Sequence, residues 1–372
     1  MKILSLTNCP LDAKLGSGKT VLTYTQGLRK RGYQVDVAAP PDYEMMPNLG
    51  RLKKFRQAWG AWNFVKQKLR TQTYDLIEYY GDEFWLTVRQ LAKLPQRPLL
   101  VAHTNGLELL DTERSHVYSP QPNPLRRWFA KQTHERFSQI AFNYADAFVS
   151  LCELDRKYVL NLGLYPEERT ALVEPGIDSE YLAMAFKTQK EERIAYMGNW
   201  IPRKGVDHLS GVMTKVLTQH PQLYFDVYGT SGATDTVLAS FPSQLHPQIV
   251  VYPRLANQDM AQGLAKAQIF FFPSQYEGFG MAIAEAMACS CAVVTTPTGF
   301  GAELKDGEEV ILCDFNDTEG MEKAIFRLLH DEEKRIAIAQ QGWNRVQSLT
   351  WEANIDKLAR VYSQWAQEAR GR

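Results

Sequence analysis

The sequence has little cysteine, no excess of charge of either sign and no long hydrophobic run. Its five cysteines are scattered over 372 residues without a C-x-x-C pair, which predicts neither a disulfide framework nor a zinc site. Basic and acidic residues number 42 each, so no global field favours nucleic acid as a partner. No apolar run is long enough to span a bilayer, and the N-terminus enters a strand pattern directly. These features predict a cytoplasmic protein without a signal peptide.

Strand and helix patterns alternate along the chain in two successive series. The first series has six short apolar segments: "KILSLTN", "YQVDVAAP", "YDLIEYYG", "PLLVAHTNG", "DAFVSLCE" and "RTALVEPGID". The second has six more: "ERIAYMGNW", "LYFDVYGT", "QIVVYPRL", "QIFFFPS", "CAVVTTPTG" and "EVILCDF". Repeated βαβ succession predicts an α/β fold with two parallel sheets, in two Rossmann-like domains.

The length of the chain fits two domains. We predict a first domain over residues 1–180 and a second over residues 181–350, with a connector near residues 176–190. The polar-faced helix in residues 351–372 is predicted to pack back on the first domain. Ligands of open α/β sheets bind beyond the carboxyl ends of the strands. Two such edges facing one another would form a deep cleft.

The glycine-rich stretch "AKLGSGKT" after the first strand looks like a phosphate-binding P-loop. The P-loop pattern needs a glycine where this chain has Ala13, and the acidic candidates for magnesium, Asp36 and Glu78, fall inside strands. The ATPase interpretation is therefore the weaker one. A glycine-rich turn still presents amides to an anion, so Gly16 and Gly18 are candidate diphosphate contacts. The alternative is a tight turn without a ligand.

Two carboxylates in "YEGFGMAIAEAMACS" have a spacing that suggests a ligand site. Glu277 follows a strand in a glycine-flanked turn, and Glu285 lies eight residues later in a predicted helix. The helical neighbours of Glu285 are small or apolar: Met281, Ala282, Ala288 and Cys289. A carboxylate on such a face either reaches solvent or meets a hydroxyl-bearing ligand. The turn "EGFGM" adds helix-terminal amides, which can bind a second anion.

Two adjacent basic residues end the first strand of the second domain in "GNWIPRKG". Arg203 and Lys204 are placed at the carboxyl edge of that strand, where a ligand is expected. Arginine can bind phosphate oxygens through two hydrogen bonds, and lysine acts as a point charge. The pair is a candidate for neutralising a diphosphate, or else an ordinary basic loop.

Together these motifs resemble those of the GT-B-fold retaining glycosyltransferases of the family 4 type, also called glycosyl transferases group 1. "EGFGMAIAE" resembles the donor-site E-x7-E motif, and "GNWIPRKG" resembles the G-x5-KG turn of that family. "GSGKTVLTYTQGLRKRGYQVDV" resembles its first loop, helix and second strand, while "VEPGID" and "PTGFGAELKDGEE" match in kind. Four motifs occur in the family order, over nearly the whole chain. The glycine loop thus resembles one that faces a donor diphosphate.

The resemblance implies a role for each residue of the donor motif. Glu277 would lie against the donor sugar, Glu285 would hydrogen-bond the ribose, and Lys204 would contact the diphosphate. The sugar and the diphosphate would be held by the turn that follows Glu277, formed by Gly278, Phe279, Gly280 and Met281.

The basic turn departs from the family pattern at one position. The family usually has an arginine directly after the first glycine, and this chain has Asn199 there. Arg203, beside the family lysine, is the candidate for supplying the missing charge. The resemblance also implies that the nucleotide base is read near Arg254 and Leu255.

A second departure lies in the first domain. The family often has a histidine in a "T-x-H-G-x-E" stretch near the reacting carbon, and "LVAHTNGLE" places Asn105 there. His103, two residues earlier, would share one strand face with Asn105. Either residue is a candidate for a catalytic role, and His103 is equally well read as a core histidine. The sequence assigns no general base.

The activity implied by the resemblance is retaining, metal-independent transfer from a UDP- or GDP-sugar to an acceptor hydroxyl. The acceptor would be a saccharide, a lipid-linked molecule or a small molecule. The chain lacks the D-x-D pair of metal-dependent transferases, so neither a metal nor another cofactor is expected. The alternatives are a GT-B scaffold that has lost catalysis, suggested by Asn199 and Asn105, and the P-loop nucleotidase.

Two basic and aromatic segments suggest where an acceptor or a membrane could be met. Residues 51–70 carry seven basic side chains, no acidic ones and several aromatic rings, and residues 125–131 form a shorter patch of the same kind. Such segments can lie on an anionic membrane, here the inner face of the cell membrane. The alternatives are a helix with buried aromatics and a solvated basic face, and a phosphorylated or acidic acceptor.

Overall fold

A computed structural model describes residues 1–12, 16–49, 52–118, 123, 133 and 135–370. Its contacts divide the chain into two compact α/β units. The first unit comprises Met1–His116, Pro120–Pro175 and Trp351–Arg372, and the second comprises Val117–Ser119 and Gly176–Thr350. The division at Pro175 lies at the start of the connector suggested by the sequence, and the final helix belongs to the first unit.

The first unit is built on a six-stranded parallel sheet. Its strand order is β2-β1-β3-β4-β5-β6. The strands are β1 (Lys2–Thr7), β2 (Gln34–Ala38), β3 (Leu76–Tyr80), β4 (Leu99–His103), β5 (Ala147–Ser150) and β6 (Thr170–Leu172).

The second unit is built on another six-stranded parallel sheet. Its strand order is β12-β11-β10-β7-β8-β9, which is the order of a doubly wound Rossmann sheet. The strands are β7 (Glu191–Met197), β8 (Tyr224–Tyr228), β9 (Ile249–Tyr252), β10 (Ala267–Phe272), β11 (Ala292–Thr295) and β12 (Ile311–Leu312).

Helices connect the strands and cover the sheets. In the first unit they are α1 (Gly16–Lys30), α2 (Pro40–Tyr43), α3 (Lys53–Thr71), α4 (Trp85–Leu91), α5 (Glu108–Tyr118), α6 (Arg136–Asn143), α7 (Glu153–Asn161) and the final α15 (Trp351–Arg370). In the second unit they are α8 (Ser179–Leu182), α9 (Val206–Gln219), α10 (Thr234–Ala239), α11 (Asn257–Leu264), α12 (Met281–Ala288), α13 (Thr318–His330) and α14 (Glu332–Val346).

The predicted α/β fold class is confirmed by these two sheets. Every residue of β3 and of β10 is buried, as expected for parallel strands that are covered by helices on both faces. This double burial explains why the strands read as continuous apolar runs rather than as alternating ones. All twelve segments that the sequence analysis assigned to strands contain a strand of the structure.

Helix α15 packs on the first unit through both surface and buried contacts. At the surface, the Arg31 guanidinium pairs with Glu352 and Asp356 at 2.9 and 2.6 Å. In the interior, the Tyr362 hydroxyl donates to a carboxylate oxygen of Glu78, and His103 Nε2 also bonds that hydroxyl. Residues from β3, β4 and the last helix therefore share one buried polar cluster.

Burial of His103 predicts a pH dependence of stability. The ring has no exposed surface, and desolvation lowers its pKa from 6.5 to about 3. Below pH 6.5 the unfolded chain binds a proton that the folded state refuses, so the free energy of unfolding falls as the pH falls towards 3. We expect His103 to remove about 2 kcal/mol between pH 7 and pH 5, measured by denaturant titration at each pH.

The variant His103→Gln isolates this contribution because glutamine can still bond the Tyr362 hydroxyl but does not titrate. Burial raises the pKa of Glu78, which acts in the opposite direction and is present in both proteins. The variant should therefore lose less stability than wild type on acidification. Parallel curves for the two proteins would show that His103 is not a neutral core residue.

Candidate donor-binding site

The predicted donor residues of the second unit gather at the carboxyl edge of its sheet. Strands β7, β10 and β11 are neighbours there, and each continues into a loop that carries one of the motifs. The loop after β7 contains a 3-10 turn, Pro202–Lys204, and the loop after β10 runs into α12. This is the edge at which open α/β sheets bind ligands.

An ion pair joins the two most informative motifs. Lys204 Nζ lies 2.6 Å from Glu277 Oε1, and both side chains are mostly buried, with 15% and 10% of their surface exposed. The Ser274 hydroxyl donates to the same carboxylate oxygen at 2.5 Å. The Lys204 ammonium also lies 5.2 Å from the centre of the Phe272 ring. A positive group and a carboxylate are thus held side by side at the sheet edge.

Backbone contacts fix these loops against one another. The amide of Gln275 donates to the carbonyl of Arg203 at 2.8 Å, and the amide of Glu277 donates to the Thr298 hydroxyl at 2.8 Å. Gly205 has a φ of 68°, and a Cβ placed there would lie only 1.9 Å from the carbonyl oxygen of Pro273. The position of Lys204 therefore depends on a glycine that lets two loops approach closely.

The glycine-rich turn after Glu277 leads into α12. Gly278 and Gly280 are buried, and Gly280 has a left-handed φ of 93° directly before Met281, the first residue of the helix. Phe279 is 4% exposed and stacks on Phe300 with ring centres 5.0 Å apart. The first amides of a helix have no partner within the helix, so this turn offers donors to an anion.

Glu285 lies in α12, as the sequence predicts, and is 9% exposed. It is close enough to Tyr181 to contribute to the raised pKa of that hydroxyl, although burial is the larger cause. Of the two alternatives for this carboxylate, a fully solvated helix face does not fit the observed burial.

The remaining donor candidates of the second unit lie around this core. Arg203 is half-buried in the turn beside Lys204, and Asn199 is exposed, with its side-chain oxygen accepting from the Ser231 hydroxyl at 3.0 Å. Arg254 is exposed and Leu255 half-buried in the loop that follows β9. All four stand on loops at the carboxyl edge of the same sheet.

The glycine-rich stretch of the first unit forms the start of α1, while Ala13 lies outside the described residues. Gly16 is the exposed first residue of this helix. A Cβ on Gly18 would lie 2.4 Å from the carbonyl oxygen of Pro10, so Gly18 also serves close packing. Thr20, which a P-loop would use for magnesium, donates instead to the carbonyl of Gly16 at 2.9 Å.

The two acidic candidates for a P-loop have other partners in the structure. Asp36 accepts a hydrogen bond from the Tyr74 hydroxyl at 2.6 Å, and Glu78 lies fully buried against Tyr362. This arrangement counts against the P-loop interpretation.

The structure places His103 and Asn105 in different surroundings. His103 is the buried last residue of β4, and its contact with Tyr362 favours the core interpretation. Asn105 is half-buried in the turn after the strand. Within the described part of the chain, neither polar atom of its amide has a hydrogen-bond partner. Asn105 is therefore the better candidate for contact with a ligand.

A cluster of three carboxylates lies at the carboxyl edge of the first sheet. Asp82, Glu83 and Glu108 each offer an oxygen within 4.8 Å of the others, which is the arrangement a metal ion could use. Lys54 Nζ lies 2.6 Å from Asp82 and already supplies one positive charge. Burial, with the neighbouring carboxylates, raises the pKa of Glu108. Nothing else about the cluster points to a metal.

Sequence reasoning missed the hydroxyl groups that support Glu277. Ser274 and Thr298 follow the ends of β10 and β11 and bind its carboxylate and its amide, respectively. The available signal was a serine or threonine just beyond a buried strand, beside a motif carboxylate. That signal is common in α/β proteins, and only the pairing of the two loops distinguishes these residues.

Comparison with known families identifies the class of the protein. Residues 180–345 match the family described as Glycosyl transferases group 1, and residues 16–181 match Glycosyltransferase Family 4. The two matches together span both α/β units. The chain belongs to the group 1 glycosyltransferases of the GT-B fold.

Individual relatives are distant. The chain is 28% identical over 217 residues to a human phosphatidylinositol N-acetylglucosaminyltransferase protein, covering 57% of this chain and 44% of that protein. It is 24% identical over 321 residues to an Escherichia coli O-antigen chain mannosyltransferase B, covering 82% and 77% of the two chains. Several curated relatives are matched over less than half of their own length.

Solved structures show the same fold. A sucrose-phosphate synthase from Thermosynechococcus elongatus superposes with a TM-score of 0.77 at 18% identity, over 98% of this chain and 99% of that one. Anabaena Alr3699/HepE in complex with UDP superposes with a TM-score of 0.69 at 18% identity, over 98% and 100%.

Proposed function

We propose that the protein is a retaining glycosyltransferase. It would transfer a sugar from a UDP- or GDP-sugar to a hydroxyl of a saccharide, lipid-linked or small-molecule acceptor. The observation that carries the proposal is the ion pair of Lys204 and Glu277, supported by Ser274, at the carboxyl edge of a Rossmann sheet. Relatives named as mannosyl- and N-acetylglucosaminyltransferases support the reaction class.

The proposed chemistry divides the diphosphate and the sugar between neighbouring groups. Lys204, Arg203 and the amides at the start of α12 stabilise the negative charge that develops as the bond from the anomeric carbon to the diphosphate breaks. Glu277 lies against the sugar ring, and Glu285 accepts hydrogen bonds from the ribose hydroxyls. The acceptor oxygen bonds the anomeric carbon on the face that the diphosphate leaves, and the acceptor proton departs with the nucleoside diphosphate.

No protein group is assigned as a general base in this proposal. His103 is buried and bonded to Tyr362, so it acts as a core residue. Asn105, with its unsatisfied amide, is proposed as a polar contact for a substrate hydroxyl. The charge on the diphosphate is met by side chains and helix amides, so the reaction is proposed to need no metal.

Nucleotide-dependent thermal stabilisation tests the proposal. The protein is mixed with UDP, GDP, ADP or ATP, and then with the corresponding nucleotide-sugars, each with and without magnesium. A ligand present at roughly a hundred times its dissociation constant stabilises the folded state by about 2.7 kcal/mol. We expect one nucleoside diphosphate and its sugar to raise the melting temperature without magnesium, and Lys204→Gln to weaken that binding by roughly tenfold or more.

A matched control is Lys215→Gln, because Lys215 makes a surface ion pair with Glu322 at 2.7 Å. This control should bind the nucleotide like wild type. Stabilisation by ATP with magnesium alone would revive the P-loop nucleotidase. If none of the nucleotides changes the melting temperature, the catalytically degenerate scaffold becomes the better interpretation.

A further inference from the structure

Exposed apolar side chains are concentrated in one short segment of the first unit. Of the eleven large hydrophobic residues that are exposed among the described residues, six lie between positions 45 and 59: Met45, Met46, Leu49, Leu52, Phe55 and Trp59. Met46, Leu52 and Trp59 expose 67%, 66% and 57% of their surface. Scattered single hydrophobics are normal on protein surfaces, whereas a cluster of this size marks a contact surface.

Specific interactions hold this segment in place. The Arg56 guanidinium donates to the carbonyls of Met45 and Met46 at 3.0 and 2.5 Å and pairs with Glu44 at 2.9 Å. Gln57 also donates to Glu44, at 3.0 Å. The loop before α3 is therefore tied to the helix by its polar groups while its methionine side chains face solvent.

Helix α3 buries one face and presents another. Its buried residues are Gln57, Ala58, Gly60, Ala61 and Val65. A Cβ on Gly60 would lie 1.8 Å from the carbonyl oxygen of Tyr43, so the helix lies directly against the preceding α2. On the opposite side, Phe55, Trp59, Lys66 and Arg70 are exposed, so this face is apolar at its start and basic at its end.

The charge of this stretch has one sign. Between residues 45 and 74 the sequence has no aspartate or glutamate and seven basic residues, although the whole chain has equal numbers of both charges. Lys54 and Arg56 are paired with Asp82 and Glu44. Lys66 and Arg70 are exposed beyond the apolar part of the face.

We propose that this 45–70 surface, formed by the exposed side chains of Met45, Met46, Leu49, Leu52, Phe55, Trp59, Lys66 and Arg70, docks the protein on an anionic phospholipid bilayer. The apolar side chains enter the interfacial region, and the basic side chains lie on the headgroups. No helix within the described ranges is both long and apolar enough to cross the bilayer, so the contact is peripheral. The segment 125–131, predicted to join it, lies outside the described residues.

Co-flotation with lipid vesicles tests this surface. The full chain is mixed with vesicles of phosphatidylcholine alone, or of equimolar phosphatidylcholine and phosphatidylglycerol, at low and high salt. We expect binding to the anionic vesicles only, with a loss at high salt. Trp59→Ser combined with Leu49→Ser, and separately Lys66→Gln combined with Arg70→Gln, should each weaken binding by roughly tenfold or more.

Matched controls use exposed residues of the same unit that lie outside the surface. Leu94→Ser and Lys30→Gln should bind vesicles like wild type, and all variants should melt like wild type because the side chains are exposed. The proposal is overturned if wild type does not bind anionic vesicles, or if the controls lose as much binding as the surface variants. Loss of self-association in place of vesicle binding would assign the surface to a second copy of the chain. No sugar donor is present, so the outcome is independent of the proposed transfer reaction.

Discussion

Replacing Glu277 by glutamine should abolish sugar transfer while leaving the protein folded. Glutamine keeps an oxygen that can accept from Ser274, but it removes the charge that holds the Lys204 ammonium at 2.6 Å. We expect kcat to fall by on the order of a hundredfold or more, because electrostatic groups at a reacting centre have effects of that size. The measurement is the initial rate of nucleoside diphosphate release, together with the melting temperature.

A surface ion pair of the same length provides the control for Glu277. Glu319 pairs with Lys323 at 2.6 Å on α13, and both side chains are about three-quarters exposed. Glu319→Gln should have the rate and stability of wild type, since exposed pairs contribute little. If Glu277→Gln kept full activity, the assignment of the donor site to this edge would be wrong.

The substitution Gly205→Ala should destabilise the second unit and also reduce activity. Its φ of 68° is strained for alanine, and the added Cβ would lie 1.9 Å from the carbonyl oxygen of Pro273. The loops that carry Lys204 and Ser274 must then move apart. We expect a loss of roughly 3 kcal/mol or more in the free energy of unfolding, measured by denaturant titration.

Gly307→Ala separates strain from overlap in this experiment. Gly307 has a similar φ of 73°, but a Cβ there meets no atom of the structure within 4 Å. This variant should lose about 1–2 kcal/mol, the cost of the left-handed conformation alone. Equal losses at the two positions would mean that the loops after β7 and β10 do not approach as closely as the structure shows.

Much of the fold could be predicted from the sequence because parallel strands carry a strong local signal. β3 and β10 are buried on both faces and therefore read as continuous apolar runs. The strand order could not be predicted in the same way. Pairing of β1 with β3 or of β7 with β10 joins residues that are far apart in the chain.

The candidate donor site was predictable in its charged residues but not in its support. Lys204 and Glu277 belong to motifs that the sequence displays, and the structure brings them together. Ser274 and Thr298 contact Glu277 only because three neighbouring strands end at one edge. The roles assigned to all four residues stay predictions until variants are measured.

Long-range contacts also decide the environment of His103 and the extent of the 45–70 surface. The partner of His103, Tyr362, is 259 positions away, so alternation along β4 could not show that the ring is buried. The sequence suggested a basic and aromatic surface over residues 51–70. Exposure of Met45 and Met46 depends on how Arg56 binds the preceding loop, which local pattern does not reveal.

Proton NMR of the transfer reaction tests the central claim most directly. The protein is incubated with the nucleotide-sugar that stabilises it, a mixture of saccharide and lipid-linked acceptors, and no magnesium. We predict release of the nucleoside diphosphate and a new glycosidic signal with the anomeric configuration of the donor, both absent with Glu277→Gln. A product of opposite configuration, or equal turnover by the variant, would contradict retaining transfer at the Lys204–Glu277 site.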